Sequence, residues 1–172
     1  MTKQTVNYDA ERTKKKKFNI LIIDEDHNIA IVFKNYLESR GHIVSITDEG
    51  TRGLMKTKNN NFDIIFVDYI LKNNSTNIEQ HKQCKSIIDG SIIVDCIKNI
   101  NNKSLIFGYT KDINQKIINK FKKVGTTGII FKTVNQYILN KFMHLLETKQ
   151  CSNCAILDCF KKCTNTNSII IF

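Results

Sequence analysis

Short apolar runs alternate with longer amphipathic stretches along this chain. Phe18–Ile23, His42–Thr47, Phe62–Val67, Leu105–Gly108 and Gly128–Phe131 are runs of four to six residues dominated by β-branched and aromatic side chains. They are too short for helices, and the first, third and fifth lack the alternation of a half-exposed strand. Such runs predict strands buried on both faces of a parallel sheet. Between them, apolar residues recur at helical spacing. Ile29, Val32, Phe33, Tyr36 and Leu37 form one stripe, closed by Gly41, and a weaker helix is expected over residues 50–57. Ile92, Ile93, Cys96, Ile97 and Ile100 form the next. Ile113, Ile117, Ile118 and Phe121 follow, closed by Gly125, and Val134, Tyr137, Ile138, Phe142, Leu145 and Leu146 make the last.

The order β-α-β-α-β-α-β-α-β-α predicts an α/β fold: a doubly wound five-stranded parallel sheet with helices on both faces. Three of the runs end in charge. The first leads into Asp24, Glu25 and Asp26, the third into Asp68 and the last into Lys132. Right-handed crossovers bring these ends to one rim of the sheet, where ligands gather in such folds. Two acidic strand ends and one lysine describe a site for a divalent cation and an anion.

Composition narrows the class. The chain has 172 residues, 41% of them hydrophobic, and no apolar stretch of membrane-spanning length. Its polar, basic start has no secretory pattern, so a cytoplasmic location with reduced cysteines is expected. Residues 1–17 form a basic N-terminal arm, 18–147 the domain with an insertion at about 72–88, and 148–172 a Cys-rich tail. The net charge of +10 divides into +4, +4 and +2 over these three parts. No part has the excess that marks nucleic-acid binding, while the tails allow contact with a membrane surface. No Gly-rich phosphate loop, nucleophile elbow or His-metal motif is present, so a conventional enzyme is not expected. Cys151, Cys154, Cys159 and Cys163 leave three alternatives open: a Zn²⁺ site, acylation or redox use, or a tail without metal. His144 lies close enough in sequence to join such a site, and Cys96 falls on an apolar helix face.

Asn19-Ile-Leu-Ile-Ile-Asp-Glu-Asp26, Phe62-Asp-Ile-Ile-Phe-Val-Asp-Tyr-Ile-Leu71 and Gly125-Thr-Thr-Gly-Ile-Ile-Phe-Lys132 together resemble the receiver domain of two-component response regulators, over roughly residues 18–147. The resemblance implies a flavodoxin-like fold and a role in phosphorelay signalling. Asp68 would accept a phosphoryl group from a histidine kinase or histidine phosphotransfer protein. Asp24, Glu25, Asp68 and the backbone carbonyl of Ile70 would hold Mg²⁺, and Lys132 with Thr110 or Tyr109 would bind the phosphoryl oxygens. A stand-alone receiver of this kind would be no enzyme beyond catalysing its own phosphorylation, and would signal through a protein partner. The family's docking face would be the fourth helix, fifth strand and fifth helix.

The sequence departs from the family in several places. The second acid is Glu25 rather than Asp, the aromatic position three before the lysine is Ile129, and the proline after it is Thr133. About fourteen extra residues precede Asp89-Gly90, which resembles the start of the third helix. These departures favour an alternative, a degenerate pseudo-receiver that binds proteins without being phosphorylated.

Overall fold

The computed structural model describes residues 15–73, 86–100, 103–148 and 168–172. Five strands run parallel: β1 (Asn19–Ile23), β2 (Ile43–Thr47), β3 (Ile64–Val67), β6 (Leu105–Thr110) and β7 (Gly128–Phe131). They lie in the order β2-β1-β3-β6-β7. Helices α1 (His27–Ser39), α2 (Gly50–Asn59), α3 (Gly90–Ile100) and α4 (Gln115–Lys123) make the four crossovers, and α5 (Gln136–Thr148) follows the last parallel strand. Each crossover helix returns the chain to the start of the next parallel strand, and the end of α5 accepts the Lys16 N–H at its Glu147 carbonyl, so helix C-termini collect at the amino rim of the sheet and helix N-termini at the carboxyl rim.

The apolar runs are explained by a core on both faces. Ile20, Ile22, Ile64 and Phe66 face a cluster with Ala30, Phe33 and Leu37 of α1 and Phe142, Met143 and Leu146 of α5. Leu21, Ile23, Ile65 and Val67 face the opposite cluster, with Ile93, Val94 and Ile97 of α3 and Ile117, Ile118 and Phe121 of α4. Alternate residues point to opposite faces, and here both faces are dry. The helical stripes are correct in type but too wide. Val32, Ile92, Ile113 and Tyr137, each counted into a stripe, are 70%, 58%, 60% and 75% exposed. Cys96 is only half-buried.

Two strand pairings lie outside the expected five-stranded sheet. The segment read as a tail ends in β8 (Ile169–Ile171), which pairs antiparallel with β7 and makes a sixth strand. Ile169 enters the α1–α5 core cluster, while Ile170 and Phe172 pack against the other. The strand closes the exposed edge of β7, which otherwise presents unpaired backbone groups. Gly128 makes this possible, because a Cβ there would collide with the Ile170 carbonyl oxygen. The ends of the insertion form the second pairing. β4 (Ile70–Asn73) and β5 (Ser86–Asp89) are an antiparallel ribbon with Ile70 opposite Asp89, leading directly into α3 at Gly90.

Candidate functional site at the carboxyl rim

β1, β3 and β7 deliver Asp24, Asp68 and Lys132 to one point, and the backbone fixes each. Asp24 N–H donates to the Thr47 carbonyl (2.9 Å), Asp68 N–H to Ile23 (2.8 Å) and Lys132 N–H to Thr110 (2.9 Å). The three side chains therefore leave from a continuous hydrogen-bonded ladder. Lys132 Nζ donates to Asp24 Oδ1 at 2.9 Å and to Asp68 Oδ2 at 2.7 Å. The lysine side chain is only 4% exposed, Asp24 not at all. A buried ammonium and two buried carboxylates leave one negative charge in excess, in a place where unpaired charge is costly.

That excess is visible in the carboxylates. Asp24 Oδ1 also accepts from the Asp26 N–H at 3.0 Å. Asp24 Oδ2 lies 2.8 Å from Lys132 Nζ but outside hydrogen-bonding alignment. Among the described residues it is the buried side-chain oxygen without a hydrogen bond. Asp68 Oδ1 accepts from the Tyr69 N–H at 2.7 Å. Burial pushes the Asp68 carboxyl up to about 6, with Asp24 adding repulsion, against the pull of Lys132.

The acidic triplet divides its work. Asp26 caps α1, accepting from the Ile29 N–H, and pairs with Lys111 at 3.1 Å. The Lys111 hydrogen bond and the Ile29 N–H hold its carboxyl below the usual range. Glu25 is partly exposed at the rim, with no hydrogen bond or ion pair among the described residues. Asp24, Glu25 and Asp68 are thus a set of hard oxygen donors in which one buried oxygen is ion-paired to Lys132 without a hydrogen bond and one carboxylate is uncommitted. Such donors suit Mg²⁺, which takes one to three carboxylates and keeps several waters. Among the described residues no three His, Cys, Asp or Glu side chains already converge on one metal position. Water and the Ile70 carbonyl, two residues beyond Asp68 at the head of β4, would have to complete the shell.

Both candidate hydroxyls end β6. Tyr109 is packed in the α1 side of the core, its ring stacked on Phe33 at 4.5 Å, and Lys132 Nζ stands over it at 5.4 Å. Burial, with Asp24 and Asp68 nearby, raises its phenol well above the ordinary value, so it stays protonated. Thr110 is buried and accepts the Asp112 N–H at 3.2 Å, which leaves its own proton to donate. Neither hydroxyl bonds Asp68 or Lys132 among the described residues. Ile129, at the place of the family's aromatic, is wholly buried beside Phe121 and Phe131.

Sequence reasoning missed two contributors. Gly90 lies so close to Asp68 that a Cβ would overlap the Asp68 carbonyl oxygen, and its N–H donates to the Tyr69 carbonyl at 2.7 Å. Its position beside Asp89 could have flagged it, but the insertion hid the distance to β3. The other is a cavity of about 520 Å³ between α1 and α5, reached by Phe33, Tyr36, Tyr109, Lys132 and Leu139. Cys151, Cys154, Cys159 and Cys163, and most of the insertion, lie outside the described residues.

Comparison with known proteins agrees with this fold. A family model described as the response regulator receiver domain matches residues 20–144. Among solved structures, a CheY-like receiver domain protein of Methanospirillum hungatei JF-1 is 21% identical, over 73% of this chain and 90% of that one, with a TM-score of 0.61. A two-component response regulator of Clostridium difficile is 23% identical over 73% and 91%, with a TM-score of 0.60. A response regulator of Burkholderia pseudomallei, solved with a phosphorylated aspartic acid and a calcium ion, is 18% identical over 88% and 76%, with a TM-score of 0.61. The curated proteins compared gave no match.

Proposed function

The chain belongs to the response regulator receiver domain family, and on that premise we propose that Asp68 accepts a phosphoryl group from a phosphohistidine of a kinase or phosphotransfer protein. The observation that carries this reading is the buried Asp68 carboxylate held 2.7 Å from Lys132 Nζ, with the buried Asp24 carboxylate paired to the same ammonium. An Asp68 carboxylate oxygen attacks phosphorus. The P–N bond breaks, its electron pair stays on the imidazole nitrogen, and Asp68 becomes an acyl phosphate. Little covalent work is asked of the protein, so charge placement dominates.

Lys132 turns from the Asp68 carboxylate to a phosphoryl oxygen, where a point charge on a flexible stem is adequate. Thr110, whose hydroxyl proton is unclaimed, donates to another. Bound Mg²⁺, held by Asp24, Glu25, Asp68 and the Ile70 carbonyl, would neutralise charge on the equatorial oxygens. The phosphorylated aspartic acid and calcium ion of the Burkholderia protein support the same chemistry here. The chain is then its own phosphoryl acceptor, not a turnover enzyme. The signal passes to a protein partner at α4, β7 and α5, where β8 already covers the β7 edge.

One observation favours a second reading. Ile129 is fully buried in the core where the family's aromatic would report phosphorylation. A scaffold that binds partners regardless of phosphate fits that substitution. Intact-mass measurement after treatment with acetyl phosphate and Mg²⁺ separates the two. The receiver reading expects one phosphoryl adduct that disappears in Asp68→Asn and with chelator. An unlabelled chain, under conditions where another receiver labels, supports the scaffold.

A further inference from the structure

The charged side chains are sorted between the two rims of the sheet. Asp24, Glu25, Asp26 and Asp68, with Asp48, Glu49, Asp89 and Asp112, lie at or beside the carboxyl rim. The amino rim is basic. Lys56 and Lys58 end α2, Lys98 ends α3, and Lys122 and Lys123 end α4. Lys15, Lys16 and Lys17, all exposed, precede β1 at the same rim.

The acids that share this rim are engaged. Glu147 is claimed by Arg40, with bonds of 2.6 and 2.9 Å, and by His42, while Lys15 reaches it only at 3.8 Å. Asp63 accepts the Asn19 N–H, and Glu38 pairs with Lys34.

Lysines at helix ends complement the helix dipole one by one. That does not account for the pattern, because the last turns of α1 and α5 hold no basic residue and Arg40, which caps α1, is held by Glu147. Helices α2, α3 and α4 together carry eight basic residues and one acid, whereas α1 and α5 together balance at two of each. The parallel topology then collects Lys56, Lys58, Lys98, Lys122 and Lys123 at one rim, while Lys116 starts α4 at the other and Lys120 pairs with Asp89. Two large aliphatic side chains stand exposed among them, Ile43 at the start of β2 (70%) and Ile100 at the end of α3 (41%).

We propose that the amino rim docks on an anionic membrane surface, acidic lipid headgroups meeting these lysines and Ile43 and Ile100 entering the headgroup boundary. Basic residues interspersed with aliphatic ones are the composition that binds such surfaces. Nucleic acid is the less suited polyanion. Among the described residues an aromatic ring beside these lysines, Phe172, is partly buried and covered by Lys122 Nζ at 5.7 Å rather than open to stack on a base, and Arg40 is held by Glu147. Docked this way, the carboxyl rim with Asp68 faces away from the lipid and stays open to a phosphoryl donor.

The test is co-sedimentation of the full chain with sucrose-loaded phosphatidylcholine vesicles, with and without about 30 mol% phosphatidylserine. Binding is expected only with phosphatidylserine and is expected to weaken with salt. Each surface lysine is worth about fivefold in partitioning, so Lys122→Gln/Lys123→Gln should bind about 25-fold more weakly. Lys116→Gln/Lys141→Gln removes the same charge away from the rim and should change binding by no more than about twofold. Both variants keep the basic arm and Cys-rich tail, and unchanged circular dichroism confirms their fold. Absence of binding to phosphatidylserine vesicles, equal losses in the two variants, or binding to duplex DNA in place of vesicles would each overturn the proposal.

Discussion

Gly90 Cα lies against the backbone of Asp68, with no room for a methyl group between the start of α3 and the residue that ends the third strand. The Gly90 N–H donates to the Tyr69 carbonyl at 2.7 Å, so the contact is bonded as well as close. A helix whose arrival is set by the insertion ribbon thereby fixes where the Asp68 carboxylate stands.

Gly90→Ala is expected to push the end of β3 away from α3. Overpacking of this kind costs about 1–3 kcal/mol. The geometric consequence is larger than the energetic one, since displacement by an ångström at a reacting centre costs about 100-fold in rate. Urea unfolding and the rate of labelling by acetyl phosphate check the two effects separately.

Asp68→Asn is expected to raise stability at neutral pH in the absence of divalent ions. The folded carboxyl titrates near 6 against about 3.8 unfolded. Between those values the folded state binds more protons, so this group's contribution is present below pH 3.8 and is lost as pH rises through 6. The ionised carboxylate then costs about 2–3 kcal/mol, which the amide removes. Urea midpoints of both proteins at neutral pH and near pH 4 should differ most at neutral pH.

His42 works in the opposite direction. Its Nδ1 accepts the Phe18 N–H at 3.3 Å, which leaves the proton on Nε2 facing Glu147 Oε1 at 3.2 Å. Burial depresses its folded value below 6.5 despite the Glu147 charge. Below pH 6.5 the unfolded state binds more protons, so stability is full above 6.5 and is lost as pH falls through the folded value. His42→Gln should flatten the acid limb of the stability profile below pH 6.5, measured by thermal midpoints.

Glu147→Gln tests the same corner from the other side. The carboxylate is 1% exposed and takes two hydrogen bonds from Arg40. Loss of one partner from a buried pair costs about 3–5 kcal/mol, and the urea midpoint should fall accordingly.

Ile169→Ala should cost about 2–3 kcal/mol and loosen β8 from β7. Deuterium exchange at the β7 amides checks this directly, because Phe131 N–H donates to the Ser168 carbonyl. If β8 leaves, that amide loses its acceptor and its protection.

Much of this protein was determined by local pattern. Five apolar runs separated by helical stripes admit few arrangements, since parallel neighbours require crossovers and crossovers take one hand. With the strand order of this family, Asp24, Asp68 and Lys132 had to share a rim, and the ladder bonds at Thr47, Ile23 and Thr110 hold them there. The charge types were legible for the same reason: a charged residue directly after a buried strand has only the rim to occupy.

Tertiary structure decided what depends on residues distant in sequence. Ser168–Phe172 reads as a polar tail's apolar end until the open edge of β7 gives it a partner, and Gly128 leaves space for it. Whether Glu25 or Asp26 stays free was undecidable from adjacent carboxylates; Lys111, 85 residues away, takes Asp26. Val32 and Ile92 show the same limit on helices, where spacing selects a face broadly and only packing trims it. The sorting of lysines to the amino rim is likewise invisible along the chain, because it arises only when separate helices end at one edge of one sheet.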